Sequence, residues 1–369
     1  MEKVNKKIVF LLTNRKHSGV LKRVESFIEK GVDVEIYGFD RGFGKEINIL
    51  KGIKIIDLGL VDNGKSYFSK IIRANFIFRK IFKKHSKNVI YYVFSFDFAL
   101  LCFLNRKKYV YEIRDLVYGY FSSKIIINLF KIIDKLLIRF SLLTVVLSEG
   151  FVKFLYKNKK NKKIIIQPNK LHGFFKDTIR PEIENNSKSK ITFGYIGFFR
   201  FPNTIMRFAR VIGENFPNHK VMFFGDGIPE YKNMINNLVI KHDNIYNLGS
   251  FKNPEDLASI YEQVDISLSC YDNNFVNVRY AEPNKLYESI FFNTPIVVSE
   301  NTFLGQKVLD LEIGFVLNSS KDIEILDYVN NLNFKAINKK KKHMAQLLSI
   351  DLIDDKATKI ISYINKNDK

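Results

Sequence analysis

Cysteine is scarce in this chain. Cys102 and Cys270 are the only two, far apart and each inside an apolar run. That excludes a disulfide scaffold and a zinc cluster, and it fits a reducing compartment. Both read as small core residues. Long apolar runs are missing as well. No stretch approaches the roughly 18 uncharged apolar residues of a membrane-crossing helix, so none is expected. The opening MEKVNKKIVFLLTNRKHSG starts like a signal peptide. Its apolar core, Ile8–Leu12, is too short, and no small-residue cleavage site follows. It predicts a first β-strand and a cytoplasmic protein. No G-x-G-x-x-G follows that strand, which argues against a dehydrogenase. No internal repeat of roughly 20–50 residues is present.

What the chain does have is length, apolar content and positive charge. Its 369 residues suffice for two domains, and 46% hydrophobic residues can bury real cores. Lysine and arginine outnumber the acids by 59 to 38, a net charge of +21. Such a charge favours nucleic acid, acidic lipid or phosphorylated substrates without choosing among them. Genome bias and solubility produce the same Lys- and Asn-rich composition.

Short β-branched or aromatic runs recur between helical patterns. In the first half they predict strands at Ile8–Leu12, Val32–Tyr37, Ile53–Ile56, Val89–Phe94, Tyr109–Ile113, Leu143–Leu147 and Ile164–Ile166. In the second half they predict Thr192–Ile196, Lys220–Phe224, Ile245–Leu248, Ile266–Leu268, Pro295–Val298 and Gly314–Leu317. Alternating strand and helix implies α/β architecture with parallel sheets of βαβ units. The alternation weakens at KDTIRPEIENNSKSK, which is polar and contains Pro181. The division predicted is a first domain over 1–175, a linker over 176–190 and a second domain over 191–350. A helical tail over 351–369 is free to pack back on the first domain.

Two segments mix large apolar and basic residues at helical spacing. One is FSKIIRANFIFRKIFKKHSK, residues 68–87; the other is FSSKIIINLFKIIDKLLIRFSLL, residues 121–143. Apolar residues on one face and lysines and arginines on the other suit the interface of an anionic bilayer. They equally suit helices that cover a sheet.

The stretch richest in chemistry is AEPNKLYESIFFNTPIVVSE, residues 281–300. Pro283 suits the turn into a helix and Asn284 an N-cap. Lys285 and Glu288 then share one helix face, while Leu286, Ile290 and Phe291 form its buried side. The Asn293-Thr294-Pro295 turn returns the chain into a buried parallel strand, Ile296-Val297-Val298. A helix start beside a lysine suits an anion, and a carboxylate one turn on suits a ribose diol. The competing reading is an exposed ion pair.

This stretch resembles the donor-site signature of retaining GT-B glycosyltransferases of the family 4 type. There a Glu followed by a turn residue and Pro-hydrophobic-hydrophobic holds the ribose of a sugar nucleotide. The likeness continues in order along residues 190–318. ITFGYIGFFR resembles the strand and glycine loop that open the donor domain, and VMFFGDG its next strand and turn. NIYNLGSF resembles the segment by the base, and LGQKVLDLEIGFVL the close of the domain. In the first half the likeness lies in VYEIRDL and IIIQPN. Three features depart from the family pattern. Tyr280 stands where a second Glu is usual, with Glu282 nearby but out of register. Asn14-Arg15-Lys16-His17-Ser18-Gly19 replaces a Gly-Gly loop, and Arg114 replaces the His before Asp115.

The resemblance implies GT-B architecture, two Rossmann-like doubly wound parallel-sheet domains facing across a cleft. It implies sugar transfer from a nucleotide-sugar donor to a lipid-linked or oligosaccharide acceptor in surface polysaccharide synthesis: capsule, O-antigen or exopolysaccharide. Transfer builds negative charge on the leaving diphosphate, which the site must stabilise. No Asp-x-Asp stands at a predicted strand end, and neither a cofactor nor a metal is expected. Arg200 is the expected diphosphate clamp, because a guanidinium offers a fixed fork. The donor set is Gly197, Arg200, Gly225, Asp226, Phe251, Arg279, Asn284, Lys285, Leu286 and Glu288, with Arg207 in reserve. Arg200, Lys285 and Glu288 stand nearest the chemistry. The loop after the first strand should face the cleft, so Arg15, Lys16, His17, Arg114 and Asp115 are the acceptor-side residues. Two alternatives remain open: a nucleotide-sugar epimerase on the same architecture, and a non-catalytic protein that binds nucleotide sugar or nucleic acid. Nucleic acid is not expected, because the aromatics sit in core-like runs and not in a basic groove.

Overall fold

The computed structural model describes residues 6–42, 47–61, 67–85, 88–157, 159, 161–182, 190–347, 351–353 and 357–367, the side chains of 67 and 68 excepted. The chain divides into two compact units, Met1–Asn169 with Asp354–Lys369, and Lys170–Ile353.

The first unit holds β1 (Lys7–Leu12), β2 (Val34–Asp40), β3 (Ile49–Leu50), β4 (Ile53–Leu60), β5 (Val89–Val93), β6 (Tyr109–Ile113), β7 (Leu143–Val146) and β8 (Ile164–Ile166). They form one sheet in the order β3-β4-β2-β1-β5-β6-β7-β8. All pairs are parallel except β3 with β4. The central strands β5, β6 and β7 are buried along their whole length. That explains their near-continuous apolar and aromatic runs, interrupted only by Glu112 and Thr144, since helices cover both faces of a parallel sheet. The core gathers Phe10, Phe27, Tyr92 and Phe94, with edge and tilted ring contacts of 5.1–6.2 Å. The C-terminal helix Thr358–Asn367 adds Ile360, Ile361 and Ile364 to this core.

The second unit holds β9 (Thr192–Ile196), β10 (Lys220–Phe224), β11 (Ile245–Gly249), β12 (Ile266–Ser269), β13 (Ile296–Ser299) and β14 (Gly314–Leu317). All are parallel, in the order β11-β10-β9-β12-β13-β14. This is the doubly wound order of a Rossmann domain. Helices Pro202–Asn215 and Pro229–Lys241 each begin with the proline that a helix start favours.

The predicted boundary needs correction. The division falls after Asn169, and residues 170–182 belong to the second unit. Phe175 packs on Phe291 and Phe292. The Arg180 guanidinium donates to the carbonyls of Ile290 and Met344 and to the Asn293 side chain. A polar stretch reads as linker by composition, but Arg180 and Pro181 within it are anchored, the Pro181 carbonyl accepting from the Asn293 amide, by partners more than a hundred positions away. Residues 183–189 of that segment lie outside the described residues.

Candidate functional site

In the second unit the strand order reverses between β9 and β12. Doubly wound sheets bind ligands beyond the carboxyl ends of the strands at such a switch. One loop leaves β9 there and runs through Gly197 to Phe201; another leaves β12 through Cys270 and Tyr271. Gly197 has φ +125° and Gly225, after β10, has φ +154°. A Cβ on Gly225 would lie 1.9 Å from the Gly197 carbonyl oxygen. Two backbones therefore meet where any side chain would collide. Gly197 N–H donates to Phe224 O and Phe199 N–H to Asp226 O, both at 2.7 Å, so each loop braces the other.

Lys285 opens the short helix Lys285–Phe291 and is only 5% exposed. Its Nζ has no hydrogen-bond partner. Instead it lies 3.7 Å from the centre of the Tyr195 ring and 5.4 Å from that of Tyr271. Its Cε is 3.7 Å from where a Cβ on Gly197 would sit, beside the glycine loop. Burial pushes its pKa down, with Tyr195 and Glu288 pulling the other way. A buried ion costs several kcal/mol unless it is paired. In its charged form this ammonium carries that cost with no hydrogen-bond partner to offset it.

Glu288 is 4% exposed. One oxygen accepts from the Tyr261 hydroxyl at 3.0 Å and the other from the Asn284 side-chain amide. Tyr261 stacks on Phe292 at 4.6 Å, which fixes its direction. The exposed ion pair is therefore overturned: both residues are buried, and Lys285 is not bridged to Glu288. The helix start also differs from expectation. Asn284 occupies the N-cap position without a capping bond; its amide serves Glu288 instead. The Leu286 and Tyr287 N–H groups already donate to Pro283 O and Asn284 O. The positive charge at this site therefore comes from the Lys285 side chain more than from the helix start. Leu286 is a core residue, buried with Ile290 and Phe291.

The remaining donor-set residues scatter. Arg200 is exposed at the loop after β9, 5.8 Å from the Phe198 ring centre. Together with Lys285 it acts electrostatically on the Tyr195 hydroxyl, which burial pushes up to about 12. Asp226 is paired with Lys232 at 3.1 Å. Phe251 is half-buried against the core after β11, and Arg279 is exposed in the last turn of helix Val276–Tyr280. Arg207 is bound to Asp322 at 2.9 Å and lines a separate hollow of about 350 Å³ between helices Pro202–Asn215 and Pro229–Lys241. Glu282 is no substitute for a carboxylate at position 280. It is buried, accepts from Tyr287, and pairs with Lys307 at 2.7 Å.

In the first unit the acceptor-side residues are mostly spoken for. Arg15 is buried and binds Asp40 at 3.1 Å and the Asn48 side chain at 2.6 Å. Lys16 binds the same Asp40 at 2.9 Å. The loop thus turns its Arg15 and Lys16 charges onto Asp40. His17 is exposed and caps helix Ser18–Ile28, its Nδ1 accepting from Val20 N–H at 3.3 Å. Arg114 reaches the same helix start: its Nη2 lies 2.4 Å from where a Cβ on Gly19 would be. Arg114 Nη1 donates to Glu112 at 2.6 Å. The other Glu112 oxygen accepts from Arg23 at 3.0 Å and from the Tyr92 hydroxyl at 2.6 Å. Asp115 is exposed beside it.

Sequence reasoning missed Tyr195, Tyr261 and Tyr271, the aromatic walls around Lys285 and Glu288. It also missed Glu112, which holds Arg114. Their nearness to the glycine loop and to VYEIRDL was the available signal. Among the described residues no group of three or more His, Cys, Asp or Glu could hold a metal ion.

The two basic amphipathic segments are helices Tyr67–Lys84 and Lys124–Phe140. Both bury one side. The first exposes Ile72 and Phe76; the second exposes a longer row, Ile125, Leu129, Ile132, Leu136 and Phe140, with Ile125 82% exposed. Residue 87 and the Phe68 side chain lie outside the described residues. Among the described residues no helix is long and apolar enough to cross a membrane.

No family model and no curated protein matches this chain. Solved structures do. Sucrose-phosphate synthase from Thermosynechococcus elongatus is similar with a TM-score of 0.68 at 12% identity, over 93% of this chain and 95% of that one. A Listeria monocytogenes protein described as a UDP-N-acetylglucosamine 2-epimerase is similar at 0.66 and 12%, over 99% and 97%. Anabaena HepE, solved with UDP and glucose, is similar at 0.64 and 12%, over 98% of each chain. The chain thus has the GT-B fold, built from two Rossmann-like parallel-sheet units.

Proposed function

We propose that this chain is a retaining glycosyltransferase that moves a sugar from a nucleoside-diphosphate donor to a lipid-linked or oligosaccharide acceptor in surface polysaccharide synthesis. The observation that carries the reading is the buried, unpartnered Lys285 ammonium beside Gly197, with Glu288 one turn along. An open ammonium beside a glycine loop, with a carboxylate one turn along, suits a diphosphate next to a ribose. In the reaction the bond from the anomeric carbon to the phosphate oxygen breaks. A bond to the acceptor oxygen forms on the same face, and the acceptor proton goes to the departing phosphate oxygen. Lys285 and Arg200 would offset the charge growing on that oxygen. Arg114, held by Glu112 and close to His17, is the acceptor-side cation that best suits this reading. The reading includes no resident metal, and turnover that survives EDTA is its expected outcome.

The experiment is a binding and turnover screen of UDP-, GDP-, dTDP- and CMP-sugars. At least one should bind and turn over, and Lys285→Ala and Glu288→Ala should abolish turnover. Full activity in either variant would reject the site. The epimerase reading is favoured by the Listeria likeness. It is recognised by a new free sugar nucleotide formed without acceptor.

For the acceptor we propose a lipid-linked molecule met at the cytoplasmic face of an anionic membrane. The exposed row on Lys124–Phe140, flanked by Lys124 and Arg139, supports this. Leu129→Asp with Ile132→Asp should abolish co-sedimentation with anionic vesicles while leaving donor hydrolysis intact.

A further inference from the structure

Tyr195 lies near the end of β9 and is 1% exposed. Its ring is packed by Phe199 at 5.9 Å and Phe223 at 6.1 Å. Two connections leave it in different directions. Its ring face sits 3.7 Å from the Lys285 ammonium. Its hydroxyl donates to Phe198 O at 2.8 Å and accepts from Arg200 N–H at 3.4 Å. One side chain thereby touches both the lysine of the short helix and the backbone of the loop that carries Arg200.

We propose that Tyr195 is a positioning residue for a diphosphate site: its ring holds the Lys285 ammonium in place, and its hydroxyl fixes the loop bearing Arg200. The proposal rests on the reading that Lys285 and the loop after β9 bind a nucleoside diphosphate.

The choice of a ring over a carboxylate has a physical consequence. A carboxylate partner would neutralise the lysine and occupy its N–H donors. A ring face attracts the cation through its quadrupole and takes no conventional donor. The charge and all three donors stay available for the ligand. Glu282 and Glu288, the carboxylates three positions to either side, are engaged elsewhere: the first by Tyr287 and Lys307, the second by Tyr261 and Asn284. The hydroxyl has a separate task. It closes the turn around Phe199, whose ring covers Gly227, so Arg200 leaves the sheet from a fixed backbone.

The test uses calorimetric binding of UDP, GDP and dTDP to the full chain from neutral to alkaline pH. Wild-type binding should weaken as pH rises through the depressed Lys285 pKa, because the anion requires the ammonium. Replacing Tyr195 by Leu or by Met removes the ring. The alkaline limb should then move to lower pH by about one unit, with affinity about tenfold weaker at pH values above both limbs. Tyr195→Phe keeps the ring and loses the hydroxyl. It should restore the limb to its wild-type position yet bind about threefold to tenfold more weakly. A merely structural role would lower the melting temperature of all three variants without moving the limb. If wild type binds but the limb stays fixed in the ringless variants, or Tyr195→Phe binds like wild type, the positioning role is overturned and the diphosphate reading stands. If wild type binds none of the three nucleotides, the diphosphate reading itself fails.

Discussion

Buried positive charge is handled in opposite ways in the two units. In the first, Arg15 and Lys16 share Asp40, and Arg23 and Arg114 share Glu112. In the second, Lys285 lies between tyrosine rings with no hydrogen-bond partner at Nζ. A matched buried pair does structural work, and removing one partner is costly. An unmatched buried cation is a standing cost in the free protein, which a bound anion removes. The difference singles out Lys285, among the described residues, as the buried lysine whose Nζ has no partner and hence as the place to test for an anion.

The largest expected effect lies on the matched side. Glu112→Ala strands Arg23 and Arg114 around a vacated carboxylate and should cost about 3–5 kcal/mol in urea unfolding. A loss below about 1 kcal/mol would break the comparison.

Asp134 sharpens it from another direction. It is a buried acid held by neutral groups, with the Tyr118 hydroxyl donating to it at 2.7 Å and the Tyr111 hydroxyl also acting on it. Burial raises its pKa from 3.8 to about 6, with the tyrosine hydroxyls opposing. The folded protein therefore holds this proton more tightly than the unfolded chain. The associated stability is present below pH 4 and is lost as pH rises through 6, by about 3 kcal/mol. Asp134→Asn should remove that part of the slope when unfolding is compared at pH 4 and pH 7.

Lys285→Met tests the unmatched side. Turnover should fall by about 100-fold or more, while the melting temperature stays level or rises, because an uncompensated charge leaves the interior. By linkage, wild type should itself gain stability as pH climbs from the depressed Lys285 pKa toward 10.5. The variant should lack that gain. A variant that melts several degrees lower would show that the lysine is satisfied after all. Arg200→Lys, at an exposed residue, should have the smallest effect, about tenfold in turnover, through loss of the bidentate fork.

Much of the fold was legible because parallel strands covered on both faces are written as short continuous apolar runs. β5, β6, β9, β10 and β13 fall where their runs predict them. β3 went unseen, since two residues carry no period. So did helix Val276–Tyr280, whose five residues are too few for one. At the site, Lys285 and Glu288 were legible from their spacing and from the turn and strand that follow. Their burial was not, and neither was the departure of Asn284 from its capping role. The pairing of Arg15 was hidden for a related reason. Asp40 and Asn48 are remote in sequence, and nothing local announces that they reach it.

By itself the sequence determined the alternation of strands and helices, the glycine loops, and the short list of candidate site residues. These are local properties, set by periodicity, by backbone freedom and by the chemistry of each side chain. Only the tertiary structure decided which charges are cancelled and which stay open. Desolvation and pairing depend on what arrives from distant parts of the chain: Tyr195 and Tyr271 for Lys285, Glu112 and Arg23 around Arg114.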